Sequence, residues 1–314
     1  ATPGLKRFIR SLSLTPYDVP AKRGELKNIL MTVGEGESLM IRFVLRTRDR
    51  VSDIRAALPL LRELVPAARV VTANIHPTHE AIVEGPDEII LTRARTLPLS
   101  IEGLELGPRS FAQTNAHVAS ALYEQAAAWA SQPFADGRAP ESLWDLYCGV
   151  GGFALALAGP GRRVLGVEVS APAIRGARES AALMGLPSEE VRFEVGDARV
   201  LDPGGSAVPD LLVVNPPRRG IGTGLARRIE NSSAARVLYS SCNPVSLAAD
   251  LEAMPSLRAR RARLFDMFPH TDHAEVLVEL VRRPPSRTAP SPTQTSSARA
   301  ASTSTRRAST SAAA

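Results

Sequence analysis

Cysteine is nearly missing from this chain. Cys148 and Cys242 are the two thiols in 314 residues, which excludes a disulfide framework, and no C-x-x-C spacing exists to seed a metal site. Such sparse thiols suit a reducing cytoplasm. No run of about 18 apolar residues occurs, and no charged-then-apolar leader opens the chain, so neither a membrane span nor secretion is supported. Acids are missing from the carboxyl end. Residues 284–314 hold Arg287, Arg299, Arg306 and Arg307 but no Asp or Glu, so they supply four of the six formal positive charges and leave +2 for the rest. Global charge therefore does not identify a nucleic-acid binder, which must be argued from a site. The same tail is Pro, Ser, Thr, Ala and Arg with almost nothing bulky and apolar, and is expected to be disordered because it cannot offset its ordering entropy.

Two regions of regular pattern remain. Residues 1–105 read as a small α+β domain. Strands are expected at 26–33, 39–46, 68–75, 80–85 and 88–92, with one helix capped by Ser52 whose Ile54, Leu58, Leu61 and Val65 recur at helical spacing. The segments L-K-R-F-I-R-S-L and Y-D-V-P-A-K-R-G-E-L-K read first as a solvated basic loop and second as a phosphate-facing edge. Residues 106–283 alternate strand, loop and helix. Strands are expected at 142–146, 163–168, 191–195, 211–215, 235–242, 261–268 and 274–281, and a helix capped by Asn115 leads in. This alternation predicts an α/β, doubly wound, Rossmann-like sheet that binds ligands beyond the carboxyl ends of its strands. The short link between the last two strands predicts an antiparallel hairpin at the sheet edge.

Four strand ends carry chemistry. D-L-Y-C-G-V-G-G-F-A places Gly149 and Gly151 between a strand and a helix, where glycine lets a ligand approach the backbone. Glu168 ends the next strand, where a carboxylate can hold ribose hydroxyls, and Asp197 follows the third, suited to an adenine amino group. NAD and S-adenosylmethionine both fit this loop. Cys148 reads as a small packing residue, and His117 as solvated or packed.

The fourth strand narrows the choice. Asn215, stiffened by Pro216 and Pro217, resembles the (Asp/Asn)-Pro-Pro motif of adenosylmethionine-dependent methyltransferases. Arg218 stands where amino-group methylating enzymes have a stacking aromatic, and no Pro-Cys of the cytosine-C5 enzymes occurs. Cys242 closes the fifth strand and Glu275 opens the last. A free cysteine at a strand end is commonly a buried small hydrophobe, and Glu275 alone reads as a surface carboxylate. Together they match a demanding reaction. Uracil C5 takes a methyl group only after a thiolate adds at C6, and a base must then remove the C5 proton.

Five stretches, S-F-A-Q-T-N, D-L-Y-C-G-V-G-G-F, V-N-P-P-R-R-G-I-G, Y-S-S-C-N-P and L-F-D-M-F-P-H-T-D-H-A-E-V-L, resemble the RNA uridine-C5 methyltransferase family in order and spacing. Over its amino end the chain is similar to the branch acting on 23S ribosomal RNA, and the similarity covers about Leu5 to Val281. The resemblance implies a methyltransferase domain using S-adenosyl-L-methionine, with Gln113 on the methionine part of the donor and Tyr147 lining its pocket. Glu168 would hold the ribose, Gly149, Gly151 and Asp197 would complete the donor site, and Asn215 would lie between donor and base. It further implies Cys242 as nucleophile, Glu275 as base, and Arg218 and His270 at the target base, with His270 and His273 also placed to orient Glu275. The implied partner is 23S ribosomal RNA with its uridine unpaired or flipped, the chain acting as a monomer with neither DNA nor membrane. The branch also carries four cysteines for an iron–sulfur cluster. None of them is in this chain, and a truncated amino-terminal module is the expectation. The competing expectations are an RNA-binding protein without turnover and, from the glycine loop alone, an NAD oxidoreductase.

Overall fold

The computed structural model describes residues 1–80, 82–101, 103–110, 113, 115–200 and 208–283. The expected tail, residues 284–314, lies outside them. Residues 1–282 form one compact unit.

The amino-terminal part contains α1 (Thr2–Ser11), β1 (Leu26–Val33), β2 (Leu39–Leu45), α2 (Val51–Ala56), α3 (Leu58–Leu64), β3 (Ala68–Ile75) and β4 (Asp87–Ile90). Its sheet has the order β1-β2-β3-β4, with β2 and β3 parallel and the outer pairs antiparallel. Helices α2 and α3 form the crossover that the parallel pair requires. Three expectations are corrected. Residues around L-K-R-F-I-R-S-L form α1 and not a loop: Leu5 and Phe8 are buried, and Phe8 packs on Phe43 with ring centroids 5.8 Å apart. Basic spacing hid an amphipathic helix on which only Leu5 and Phe8 are buried side chains, with Ile9 packed beside them. The single helix at Ser52 is two helices, with Arg50 and not Ser52 at the cap position. Pro59, in the first turn of α3, has no N–H to continue the α2 ladder. The stretch 80–85 is not a strand among its described residues, Ala81 lying outside them. Gly85 N–H instead donates to Asn74 Oδ1, which folds this segment back on β3.

Two short strands, β5 (Leu97–Pro98) and β6 (Glu105–Leu106), pair antiparallel and precede α4 (Ala116–Ala130). Asn115 caps α4 by accepting from Val118 N–H at 3.2 Å, as its residue type predicts. There follow β7 (Ser142–Leu146), α5 (Gly152–Ala156), β8 (Arg163–Glu168), α6 (Ala171–Leu183), β9 (Val191–Val195), β10 (Leu211–Val214), α7 (Gly222–Asn231), β11 (Arg236–Ser241), α8 (Pro244–Glu252), β12 (Leu257–Phe265) and β13 (Glu275–Arg282).

The larger sheet has the order β12-β13-β11-β10-β7-β8-β9. Strands β7 to β11 are mutually parallel where they pair. Both faces are covered: in β10, Leu211 and Val213 join one apolar cluster while Leu212 and Val214 join another. That alternation is the period-two geometry of a strand buried on both sides. Strand β13 runs antiparallel between β11 and β12, leaving β12 at the edge. The strand order reverses between β7 and β10, the switch point beyond which doubly wound sheets bind ligands.

Candidate active site

A cleft of about 520 Å³ opens at that switch point, lined by Gln113, Tyr147, Gly149, Glu168, Asp197, Asn215, Arg218, Cys242 and Glu275 among others. Nine of the residues singled out in the sequence therefore meet at one place. Gly151 stands just behind, capping α5 with φ +88°. His270 does not join them. It is exposed on the loop before β13, with φ +66°. His273, from the same loop, faces Arg218 at 3.2 Å.

The loop after β7 shows why glycine is needed there. Tyr147 itself takes φ +66°, a backbone state that costs a side-chain-bearing residue free energy and is retained where the surrounding structure holds it. At Gly152 a Cβ would lie 2.4 Å from Tyr123 Oη, so only glycine lets α5 pack this closely on α4. Glu168 accepts from Gly149 N–H at 3.3 Å and Ser170 N–H at 3.0 Å, which locks its carboxylate at the cleft. Asp197 is gripped by Arg199 through both carboxylate oxygens, and this guanidinium keeps its carboxyl below the usual range. Below the loop, burial pushes the Asp145 carboxyl up to about 8.

Gln113 Oε1 is buried without a hydrogen-bond partner among the described residues. An orphaned acceptor in the wall of a cleft fits a ligand that brings its own donor, as an amino-acid ammonium would. With the glycine turn and a ribose-height carboxylate, the donor set fits an adenosyl amino acid. The two thiols do not fit a four-thiolate cluster, and among the described residues no group of His, Cys, Asp or Glu is placed to hold a metal ion.

Strand register brings Cys242 and Glu275 to the same end of the sheet. The β11–β13 ladder ends with Ser241 paired to Val276; Cys242 is the next residue after β11 and Glu275 the residue before Val276, and both line the cleft. Glu275 is 2% exposed, and burial raises its carboxyl above the ordinary range while a hydrogen bond from Ser240 acts the other way. Burial and then the Glu275 charge raise the Cys242 thiol, with Arg218 opposing them. Two hydrogen-bond links hold the surrounding loops. Asn243 Nδ2 donates to the Arg218 carbonyl at 2.8 Å, and Asp250 accepts from Tyr239 Oη, Ile221 N–H and Gly222 N–H at 2.6, 2.8 and 3.0 Å.

A family profile described as "tRNA (Uracil-5-)-methyltransferase" matches residues 104–187 and 207–283. These segments contain Gln113, Glu168, Asn215, Cys242 and Glu275. The chain belongs to this family. It is 46% identical over 281 residues to the 23S rRNA (uracil(747)-C(5))-methyltransferase RlmC of Serratia proteamaculans, covering 88% of this chain and 73% of that one. The RlmC of Halothiobacillus neapolitanus is 47% identical over 286 residues, with the same coverage. Among solved structures, the Pyrococcus abyssi tRNA (uracil-54, C5)-methyltransferase in complex with S-adenosyl-L-homocysteine superposes with a TM-score of 0.71 at 24% identity. It covers 89% of this chain, which spans 66% of that protein, just under two thirds. The shared fold is that of the Rossmann-like methyltransferases.

Tyr123, Phe268, Arg199 and Arg219 also line the cleft and were not singled out by sequence. Tyr123 lies mid-way along α4, where its spacing signals a packing residue, and it does pack edge-on against Phe153 at 4.9 Å. Phe268 carried a signal, being part of L-F-D-M-F-P-H-T-D-H-A-E.

Proposed function

We propose that this protein methylates C5 of a uridine in 23S ribosomal RNA, using S-adenosylmethionine as methyl donor. The observation that carries the proposal is the placement of a thiol and a carboxylate in one cleft, at the shared end of the β11–β13 strand pair, together with an orphaned acceptor. Gln113, Tyr147, Gly149 and Glu168 would hold the donor, which supplies an electrophilic methyl group on its sulfonium. Asn215, followed by Pro216 and Pro217 in the cleft lining, would lie between donor and target base. The Cys242 thiolate adds to C6 of the uracil and makes C5 electron-rich. Once C5 is methylated, Glu275 takes its proton and the thiolate leaves by elimination. Arg218 favours the thiolate and opposes the effect of burial. The uracil must leave any stacked helix to reach Cys242.

Incubation with methyl-labelled donor and unmodified 23S RNA, followed by mapping of the label, is expected to place it on C5 of one uridine. Label on a base amino group or a ribose would exclude the proposal.

The amino-terminal sheet supports an RNA-contacting role. Tyr17 and His79 stack with centroids 5.8 Å apart at 23°, and the Lys27 ammonium lies 4.8 Å above the Tyr17 ring. Arg46 lies close enough to depress the Lys27 ammonium further once burial has lowered it. A half-buried ring stacked on an exposed imidazole beside cations is a surface that unpaired RNA can bind, with a base against the aromatic pair and phosphates on the charges. Tyr17→Ala is expected to weaken RNA affinity roughly 5-fold, from about 1 kcal/mol of lost stacking. Donor affinity by calorimetry should stay unchanged, and unaltered RNA binding would remove Tyr17 from the interface.

A further inference from the structure

Ser240 stands two residues before Cys242 on β11, fully buried and not part of the cleft lining. It pairs with Leu277 in the ladder, so Ser240, Cys242, Glu275 and Leu277 share one face and Ser240 is the diagonal neighbour of Glu275. Its hydroxyl donates a hydrogen bond to Glu275 Oε1.

A carboxylate acting as base inside a dry cleft has two problems. Burial favours its neutral form, and free rotation would spread its lone pairs over directions that do not face the substrate. One hydroxyl donor on one oxygen answers both. It stabilises the ionised form, and it fixes the plane of the carboxylate so that the second oxygen is turned to the cleft. Resting on the uridine-C5 reading above, we infer that Ser240 is a positioning residue for proton abstraction, tying Glu275 Oε1 so that Oε2 meets the C5 proton. In that step the C5–H bond breaks and the proton goes to Oε2. Its electron pair forms the C5=C6 double bond, the C6–S bond breaks, and that pair returns to Cys242 Sγ.

The ionisable groups that feel Glu275 are Tyr123 from α4 and Cys242 at the end of β11. Asp145 acts on Tyr123, and Arg218, which faces His273, acts on the thiol. Across β13, the partner of Glu275 on β12 is the apolar Phe265. None of these donates a hydrogen bond to Glu275 among the described residues.

The test follows tritium release from RNA carrying [5-³H]uridine, with the methylated protein–RNA adduct assayed on denaturing gels, from pH 5.5 to 9. Without the hydroxyl, the Glu275 carboxyl rises further, and a base works only when ionised. Ser240→Ala is therefore expected to slow tritium release roughly 10-fold near pH 7, to accumulate methylated adduct, and to shift the acid limb of the profile to higher pH, with KM for RNA unchanged. Ser240→Thr, which keeps a hydroxyl, should restore the wild-type profile. A Ser240→Ala protein with the wild-type profile and no adduct overturns the inference, as does an equal loss at every pH, which marks a structural role. If wild-type protein releases no tritium and forms no adduct with 5-fluorouridine RNA, the uridine-C5 reading fails and the inference falls with it.

Discussion

Cys242→Ala is expected to lower methyl transfer by about 10⁴-fold or more, the scale seen when a covalent nucleophile is removed. Uracil C5 is too weak a nucleophile to take a methyl group at neutral pH without addition at C6. The thiol is half-buried at the end of β11 and opens to the cleft. Alanine there removes a single sulfur and leaves the donor side untouched, so S-adenosylmethionine binding by calorimetry should persist. The sharper measurement uses 5-fluorouridine RNA. Fluorine at C5 cannot be removed as a proton, so elimination stops and wild-type protein should remain covalently linked to RNA through Cys242. The alanine variant should form no such adduct, and methyl incorporation that survived the substitution unchanged would defeat the mechanism.

Glu279→Ala should produce the largest loss of stability of any single substitution on β13. Glu279 is fully buried and Arg236 is 1% exposed, and the carboxylate lies 3.1 Å from Arg236 and 2.7 Å from Arg261, with Arg260 at 3.7 Å. These are close ion pairs without hydrogen-bond alignment, so charge attraction is what they contribute. Arg236 also donates to the carbonyls of Trp129 and Gln132 at 2.7 and 2.9 Å, which ties β11 to the end of α4. Removing Glu279 leaves that guanidinium buried with carbonyl dipoles but no counter-charge, at a cost of about 3 kcal/mol or more. For a fold of this size that corresponds to a fall in Tm of roughly 10 °C. Replacing Arg236 and Glu279 together by methionine should recover part of the loss, because the apolar pair needs no desolvation, although the Trp129 and Gln132 carbonyls lose their donor. Equal destabilisation by the single and double variants would show that the charge pair is not the cause.

Legibility was uneven in a way the physics explains. Parallel strands buried on both faces write themselves as short apolar runs, so β7, β8 and β9 fall where the sequence puts them, residue for residue. The amino-terminal errors share another origin. In α1 only Gly4, Leu5 and Phe8 are buried, and the many Lys and Arg around them mask the helix. At 80–85 the apolar letters describe a segment held by Asn74 and not by a ladder; Ile82 and Val83 stay half exposed. The resemblance puts His270 at the target base; it is exposed on the loop before β13 with φ +66°, outside the cleft lining, while His273 of the same loop faces Arg218.

By itself the sequence determined that residues of reactive type sit at strand ends, because local pattern reports where a strand stops and what type of side chain stops it. It could not determine which strands are neighbours. Only the tertiary structure inserts β13 between β11 and β12 and sets a register in which Cys242 meets Glu275 and Ser240 reaches its carboxylate. The reason is that ladder pairing joins residues more than thirty positions apart, Ser240 and Leu277 among them, and is decided by the burial of whole strand faces, to which each local segment contributes only a part.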